Sequence, residues 1–299
     1  MTARVSRTPT TARRLFDRFE PIHAVTYFAP ESIGAMADAG FRGFWMGYFA
    51  ARSAPLGVVP AEVVTASFYN FAPAHVAKAL PSAWDFASPA AALEARATSA
   101  VAALNRCGVG ADDTTATAAT LLAKAARTTP VCGRPLFAAN AALPWPSDPV
   151  GQLWHATTLL REHRGDTHVA LLVANGITGR ESNVLHSSAD RVPREFLERS
   201  RHYDDAEWRT CVASLAARGL LDDQGGLTAE GAEFKERLEH DTDRLALTAF
   251  DALDDDELAT LFATLTPLTR KVVAAGDIPV ATPMGLRRDE LDDDSAGPP

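Results

Sequence analysis

The sequence predicts a mainly helical fold made of two helical halves, the second of which carries a short β-hairpin. Apolar residues recur at helical spacing through most of the 299 residues, which is the primary signal of amphipathic helices. A proline-rich segment, 129–150, interrupts this pattern midway along the chain. Around Gly225, the pairs Leu220-Leu221 and Leu227-Thr228 flank a run of Asp, Gln and Gly residues, as expected for a tight hairpin.

Five segments of different composition follow one another along the chain. Prolines, glycines and charge runs mark the boundaries between them. We predict a disordered tail at 1–10, an N-terminal helical domain at 11–128, a Pro-rich connector at 129–150, a second helical domain with the hairpin at 151–282 and a disordered acidic tail at 283–299.

Within the N-terminal domain, prolines and glycines mark where helices begin and end. The first helix contains Pro21, which predicts a kink or a break at that position. The clearest helix has Ser88 as its N-cap, Pro89 in its first turn and Gly108 just after its end.

Aromatic residues are concentrated in the N-terminal domain between residues 27 and 71. They include Tyr27, Phe28, Trp45, Tyr48, Phe49, Phe68, Tyr69 and Phe71. One interpretation is an ordinary hydrophobic core. The other is a pocket for a flat apolar ligand, in which Arg52, Tyr48 or Tyr69 provides the polar anchor.

The second half opens with a segment rich in histidine and carboxylate side chains, 154–168. Its candidate ligand-binding residues are His155, Glu162, His163, Asp166 and His168. Histidine beside carboxylate is suited to acid–base chemistry and to ligand binding. The spacing differs from that of helical i, i+4 zinc ligands, so we expect neither a metal site nor a cofactor.

A purely structural interpretation of this segment competes with the functional one. Gly165 is expected to interrupt the helix, and Asp166 can then cap a new helix that begins near Thr167. Arg161 or Arg164 can pair with the neighbouring carboxylates. The segment is therefore either a structural ion cluster or a site at the junction of the two halves.

The hairpin follows a helix whose apolar stripe is regular. The stripe consists of Trp208, Cys211, Val212 and Leu215. Gly219 is placed to end this helix, and Leu220-Leu221 and Leu227-Thr228 are predicted as two short strands. Thr228 can also cap the long helix that follows.

This order of a helix, Arg-Gly-Leu-Leu, a hairpin, Leu-Thr-x-x-Gly and a long helix resembles the MarR-type winged helix over about residues 190–275. The resemblance implies that 151–282 is a MarR-like winged-helix domain with a β-hairpin wing. In that family, the helix before the hairpin reads the major groove, and long outer helices form the dimer interface. Residues 47–71, 160–176 and 266–279 also look like a family of actinobacterial helix-turn-helix proteins, a resemblance that implies no particular activity.

The charge of the hairpin region disfavours DNA binding. Residues 203–231 contain six acidic and two basic residues, and the whole chain has a formal net charge of −9. Lys and Arg contacts to phosphates supply most non-specific affinity for DNA. DNA binding would therefore depend on a few arginines in and just before this region. These candidate DNA-binding residues are Arg194, Arg199, Arg201 and Arg209.

Three functions remain compatible with the sequence. The first is a ligand-responsive transcription regulator, which requires a basic surface for DNA. The second is a protein that binds a small aromatic ligand and whose winged helix no longer binds DNA, which requires an apolar cavity between the halves. The third is an enzyme, which requires the histidines and Glu162 of 155–168 to converge in one concave site.

The sequence gives weaker evidence about cellular location, the oxidation state of the cysteines and the oligomeric state. No apolar run has the length of a membrane span and the N-terminus lacks a secretory signal pattern, so we expect a soluble cytoplasmic protein. The three cysteines are widely spaced, as expected for reduced thiols. The chain is expected to be either a monomer whose halves form a pseudo-dimer or a homodimer.

Overall fold

The computed structural model describes residues 7–189 and 191–279, together with Leu286 and Leu291. The first seven α-helices are α1 (Pro9–Phe28), α2 (Pro30–Asp38), α3 (Gly43–Ser53), α4 (Ala61–Phe68), α5 (Pro73–Ala77), α6 (Pro89–Arg106) and α7 (Asp113–Thr128). They are followed by α8 (Pro135–Ala141), α9 (Pro149–Ala174), α10 (Gly179–Ser188), α11 (Arg194–Arg201), α12 (Asp205–Ala217), α13 (Ala229–Leu247) and α14 (Asp255–Ala274). Short 3₁₀ turns lie at Ala54–Leu56, Ser82–Asp85 and Thr248–Phe250.

Side-chain caps explain where several of these helices begin. Ser88 caps α6, since the Ala91 amide donates to its hydroxyl at 3.2 Å, as predicted. Thr228 caps α13 in the same way through the Gly231 amide at 3.0 Å. Each cap satisfies a backbone donor that would otherwise lack a partner in the first turn.

The predicted tails lie partly outside the described residues, which leave out 1–6 and most of 283–299. Pro9 already begins α1, so the expected disordered segment 1–10 is too long at its C-terminal end. Near the other end, the Leu291 side chain is buried and its carbonyl accepts a hydrogen bond from Arg270 Nε at 2.6 Å.

Two helices continue through positions where the sequence predicted a kink or a break. Helix α1 continues through Pro21, and α9 continues for 26 residues through Gly165. Helix α9 is the central helix of the fold and packs against α1, α6, α7, α8 and α13. Packing on so many sides outweighs the roughly 1 kcal/mol that a glycine costs inside a helix. The prediction of a break at Gly165 was therefore wrong.

The predicted β-hairpin wing was also wrong, because no strand occurs within the part of the chain that the structure describes. Leu221 and Leu227 form an isolated antiparallel bridge. The Asp222 amide donates to the Gly226 carbonyl at 2.9 Å, and the Thr228 amide donates to the Leu220 carbonyl at 3.2 Å. Four residues separate this turn from α12 and two separate it from α13, and these connections are too short for a ladder.

The hydrophobic cores do not follow the order of the chain. The first core joins α1, α6, α7, α9 and α14 through residues that include Leu15, Leu104, Leu122, Leu160 and Leu265. A second core lies under α3, α4 and α5 and includes Phe49, Phe68, Phe71, Val76 and Leu80. A third core joins α10 to α13 and includes Val184, Leu197, Leu215, Leu221 and Leu238. The predicted connector is packed as well, since it contains α8.

Candidate functional site

A cleft of about 990 Å³ lies where these cores meet. One side is formed by α1, α3, α4 and the loop after α4, and the other by α9, α10, α11 and α13. Residues as far apart in sequence as Pro9 and Asp243 line it. This volume is in the range of cavities that hold small organic ligands.

Aromatic side chains form the N-terminal wall of the cleft. They are Phe16, Tyr27, Phe28, Phe44, Trp45, Tyr48, Phe68, Tyr69 and Phe71. The Tyr48 ring centroid lies 5.2 Å from that of Tyr27, 5.5 Å from that of Trp45 and 5.7 Å from that of Phe71. The aromatic region of the sequence therefore serves two purposes, because Phe49 behind this wall is fully buried in a core.

The charged residues of the cleft are mostly basic, in contrast to the acidic chain as a whole. The basic lining residues are Arg13, Arg52, Arg161, Arg164, Arg191, Arg199, Arg201 and Lys235. The acidic lining residues are Glu20, Glu236, Glu239 and Asp243. Basic side chains thus outnumber acidic ones two to one, which favours an anionic occupant.

Three of these lining residues, Glu20, Arg52 and Arg161, form a buried network with Glu162 at the base of the cleft. Arg161 Nη1 donates to Glu162 Oε2 at 2.9 Å, and Arg161 Nε lies 3.5 Å from Glu20 Oε1. Arg52 Nε lies 3.5 Å from Glu162 Oε1 and its guanidinium carbon lies 4.2 Å from the Phe68 ring centroid. Arg52 and Glu162, both predicted as ligand-binding residues, are therefore paired with each other.

Burial affects the pKa values of the two carboxyl groups in this network differently. Burial disfavours the charged form of Glu162, but Arg161 and Arg52 outweigh it and lower its pKa to about 2. Glu20 is also fully buried, and burial raises its pKa to about 7 against the effect of Arg161. Glu162 is therefore the permanent counter-charge, whereas Glu20 titrates near neutral pH.

Arg201 enters the same cleft from the C-terminal side. Its side chain is buried, and its guanidinium carbon lies 4.1 Å from the Phe71 ring centroid. Nη1 donates to the Ser200 carbonyl at 3.3 Å, and the buried Nε has no hydrogen-bond partner. Within the described residues, no carboxylate forms an ion pair with Arg201. Burial lowers its pKa to about 10.

The predicted histidine cluster does not converge on one site. His155 packs against Trp145, with ring centroids 4.7 Å apart, and His163 packs against Phe137 at 5.4 Å. His168 alone of the three lines the cleft, where Nδ1 lies 3.0 Å from the Thr242 hydroxyl. Within the described residues, no three His, Cys, Asp or Glu side chains are grouped so that they could hold a metal ion. The enzyme hypothesis loses its geometric basis.

Asp166 has a structural partner that differs from the predicted one. Because α9 does not break at Gly165, there is no helix start at Thr167 for Asp166 to cap. Its Oδ2 instead accepts a hydrogen bond from the Phe137 amide in the first turn of α8, at 2.9 Å. Burial raises the pKa of Asp166 to about 7. Asp166 therefore joins α8 to α9 and does not line the cleft.

Helix α11 ends at Arg201, and a turn at 202–204 leads directly into α12. His202 adopts the left-handed conformation with φ of 56°, which reverses the chain direction within this turn. The Asp204 side chain then caps α12 by accepting from the Glu207 amide at 2.8 Å. The two helices and their turn pack on the third core through Leu197 and Leu215.

The outward surface of these two helices carries little free positive charge. Arg194 pairs with Glu198 at 2.6 Å and with Asp205 at 2.7 Å. Arg209 is exposed on α12. Arg199 is exposed as well, but it lines the cleft together with Arg201. The four candidate DNA-binding arginines are therefore divided between the outer surface and the cleft.

Direct contacts dock the loop after α4 onto the α10–α12 region. The Tyr69 hydroxyl donates to the Ile177 carbonyl at 2.6 Å, and Asn183 Nδ2 donates to the Asn70 carbonyl at 2.9 Å. The His75 and His202 rings stack with centroids 3.7 Å apart. Tyr69, predicted as a ligand anchor, therefore lines the cleft with its ring while its hydroxyl holds the two sides together.

Comparison with known proteins identifies the family. A family model described as a helix-turn-helix family matches residues 12–279, which is most of the chain. The chain belongs to this helix-turn-helix family. No curated protein and no solved structure matches the chain.

Membership of the helix-turn-helix family indicates a DNA-binding regulator as the general class of function. It agrees with the α11–turn–α12 geometry and with the helix-turn-helix resemblance noted in the sequence. No described helix combines the length and hydrophobicity that crossing a membrane requires. The sequence did not identify Glu20, Lys235 or Glu239 as site residues, because each lies in a helix without a motif and reaches the cleft only through packing.

Proposed function

We propose that this protein is a DNA-binding regulator whose helix-turn-helix responds to a small molecule in the cleft. The observation that carries the proposal is that α11 lines the cleft and is joined by the turn at 202–204 to α12, the helix that the MarR-type resemblance assigns to DNA. Phe196, Arg199 and Arg201 of α11 line the cleft, and α12 begins only four residues after Arg201. A ligand that contacts α11 therefore acts on the position of α12.

We expect the ligand to shift an equilibrium between two arrangements of α10, α11 and α12. A ligand changes an equilibrium only by its difference in affinity for the two states. The docking contacts of Tyr69 and Asn183 fix α10 to the N-terminal side, so a ligand between the sides changes how α11 and α12 sit relative to α10. The succession of α10, α11, α12, the bridged turn and α13 supports a MarR-like version of this arrangement.

A second candidate is a ligand-binding protein that does not bind DNA. It is favoured by the outward surface of α11 and α12, where Arg194 is neutralised by Glu198 and Asp205. Arg180 is likewise paired with Glu207 at 2.6 Å. With Arg209 as the exposed cation of α12, this surface offers few phosphate contacts. The two candidates share the cleft and differ in whether α12 contacts DNA.

Direct measurement of DNA binding separates the candidates. A fluorescently labelled random-sequence duplex is titrated with the full chain at salt concentrations between about 50 and 200 mM. A regulator binds, and its affinity falls as salt rises because phosphate contacts release counterions. Arg209→Gln is expected to weaken binding and to reduce the salt slope by about 1, as for one lost phosphate contact.

Arg244→Gln is the matched control, because Arg244 is an exposed arginine on α13 that pairs with Asp241 and lies outside the helix-turn-helix. It is expected to leave both affinity and slope unchanged. No binding at the lowest salt concentration would reject the regulator and leave the second candidate. Equal losses in the two variants would show that α12 is not the contacting helix.

A further inference from the structure

Arg201 is a buried cation for which the described chain provides no counter-charge. It is 8% exposed, and its Nε faces no acceptor. The other deeply placed cations of the cleft do have partners. Arg52 and Arg161 share Glu162, and Arg164 donates to Asp243 at 2.8 Å. An unpaired charge is costly to bury, because it gives up hydration without a compensating interaction.

The surroundings of Arg201 are suited to a flat ring that bears a negative charge. Arg201 lies over Phe71 and Arg52 lies over Phe68, and the Phe68 and Phe71 ring centroids are 6.3 Å apart. The Tyr48 ring lies 5.7 Å from Phe71, and its hydroxyl accepts a hydrogen bond from Arg52 at 3.5 Å. Two guanidinium groups thus occupy one aromatic wall, and only Arg52 has an acidic partner nearby.

We propose that the cleft binds an organic anion with an aromatic ring, and that Arg201 holds its anionic group. A guanidinium matches the two oxygens of a carboxylate, sulfonate or phosphate group. Arg52 and the Tyr48 hydroxyl lie on the same wall and extend the anion site. The aromatic side chains pack against the ring of the ligand. This inference rests on the part of the proposed function that makes the cleft a ligand site, and it does not require DNA binding.

The position of Arg201 in the chain links the anion to the helix-turn-helix. Arg201 is the last residue of α11, and His202 in the left-handed conformation follows it immediately. A bound anion draws the Arg201 side chain and the end of α11 toward the N-terminal wall. Arg201, a candidate DNA-contacting residue in the sequence, is therefore assigned to the ligand and not to DNA.

Two fluorescent probes with the same ring system test the charge requirement. They are 8-anilinonaphthalene-1-sulfonate, which is an anion, and N-phenyl-1-naphthylamine, which lacks the sulfonate. Both are titrated into the full chain in the absence of DNA. We expect the anionic probe to bind one site per chain and at least about tenfold more tightly than the neutral probe, as for one charge-assisted hydrogen-bonded pair.

Variants then assign the preference to Arg201. Arg201→Gln is expected to abolish the preference while the affinity for the neutral probe stays within about twofold, and Arg201→Lys is expected to retain part of it because the charge remains. Arg244→Gln, at an exposed position of α13 that does not line the cleft, is the control and keeps the full preference. Circular dichroism and the thermal midpoint identify any variant that fails to fold.

The outcomes that overturn the proposal are equal affinity of the native chain for the two probes, or a preference that survives in folded Arg201→Gln. If neither Arg201 variant folds, the comparison of the two probes in the native chain decides. Failure to bind DNA, measured separately with the labelled duplex, rejects the regulator and leaves the anion site standing. Equal affinity of the native chain for the two probes, together with intact DNA binding, rejects the anion site alone.

Discussion

Glu20 shows how a single buried group makes the cleft sensitive to pH. Neither of its carboxylate oxygens has a hydrogen-bond partner, and the nearest described cation is Arg161, whose Nε is 3.5 Å away. A pKa of about 7 means that the carboxyl is protonated in mildly acidic solution and charged in mildly alkaline solution. The charge at the base of the cleft therefore changes within the physiological range.

Replacing Glu20 with glutamine tests this titration. The pKa of Glu20 is raised on folding from an ordinary value of 4.5 to about 7. Its contribution to stability is therefore complete below about pH 4.5 and is lost as the pH rises through 7. Because glutamine does not ionise, Glu20→Gln is expected to stabilise the protein relative to the native chain by about 2 to 3 kcal/mol more at pH 8 than at pH 5.

Urea unfolding at several pH values measures this difference. Glu94→Gln, at an exposed position of α6, is the control and is expected to show no such pH dependence. A Glu20→Gln effect that is the same at pH 5 and pH 8 would contradict a raised pKa.

The ligand-binding residues predicted from sequence were chosen on two grounds, and only some of them line the cleft. Tyr48, Arg52 and Tyr69 line the cleft, as a local concentration of aromatic residues suggested. His155 and His163 were chosen for their chemistry, but they pack in separate parts of the molecule. Residue type at a given spacing does not determine which neighbour a helix face meets, because that neighbour comes from a distant part of the chain.

At the scale of elements, the contact between the loop after α4 and the start of α10 joins the two sides of the cleft. Tyr69 adopts φ of 60° and ψ of −55°, a positive-φ conformation that is unfavourable for a residue with a side chain. This conformation directs the Tyr69 carbonyl toward Gly179 at the start of α10. A β-carbon at Gly179 would lie 1.9 Å from that carbonyl oxygen, so only glycine allows the approach.

Gly179→Ala is expected to separate these elements. The clash forces the Tyr69 loop away from α10 and should lower the free energy of unfolding by about 1 to 3 kcal/mol or more, as in other overpacked sites. Binding of the anionic probe should weaken too, because the two walls of the cleft move apart. Chemical unfolding and probe titration measure the two effects.

Gly34→Ala is expected to raise the free energy of unfolding, in contrast to Gly179→Ala. Gly34 lies in α2 with no atom within 4 Å of the added β-carbon, so alanine should stabilise the helix by up to about 1 kcal/mol. Similar stabilities for the two variants would show that the Tyr69 loop does not press on α10.

For the whole molecule, the buried histidines make stability strongly dependent on pH. The chain has eight histidines, and desolvation lowers the pKa of seven of them, which are His23, His75, His155, His163, His168, His186 and His202. Burial keeps the most deeply placed of them, such as His155 and His163, neutral in the fold at pH values below about 6.5, where an unfolded chain would protonate them. Three carboxyl groups with raised pKa values, Glu20, Asp166 and Asp243, act in the opposite direction.

We expect the free energy of unfolding to fall as the pH drops from about 7 to 5, since the unfolded chain then binds more protons than the native one. The stability that a lowered histidine pKa contributes is present above about pH 6.5 and is lost as the pH falls toward the folded value, which is about 3 for His163. His163→Asn should therefore reduce the slope by up to about 1.4 kcal/mol per pH unit.

His240→Asn is the control, because His240 is exposed, and it is expected to keep the native slope. The measurement is urea unfolding at a series of pH values between about 7 and 5. Constant stability across that range would argue against neutral buried histidines.

The sequence alone determined the helical class, the starts of α6 and α13 and the tight turn between α12 and α13. These features depend on neighbouring residues, such as the Ser88 and Thr228 caps, which contact atoms three residues away. Helix-turn-helix membership was expected from the resemblance of several segments to known families, and the family match over residues 12–279 shows it.

Only the tertiary structure decided which way the side chains face and where helices continue. Helix α9 passes through Gly165 because five helices pack against it, and Arg201 enters the cleft because α11 meets Phe71, which lies far away in the sequence. The cores likewise combine α1 and α14 from opposite ends of the chain. Contacts of this kind depend on how whole elements pack, and short-range periodicity contains no information about the partner of each face.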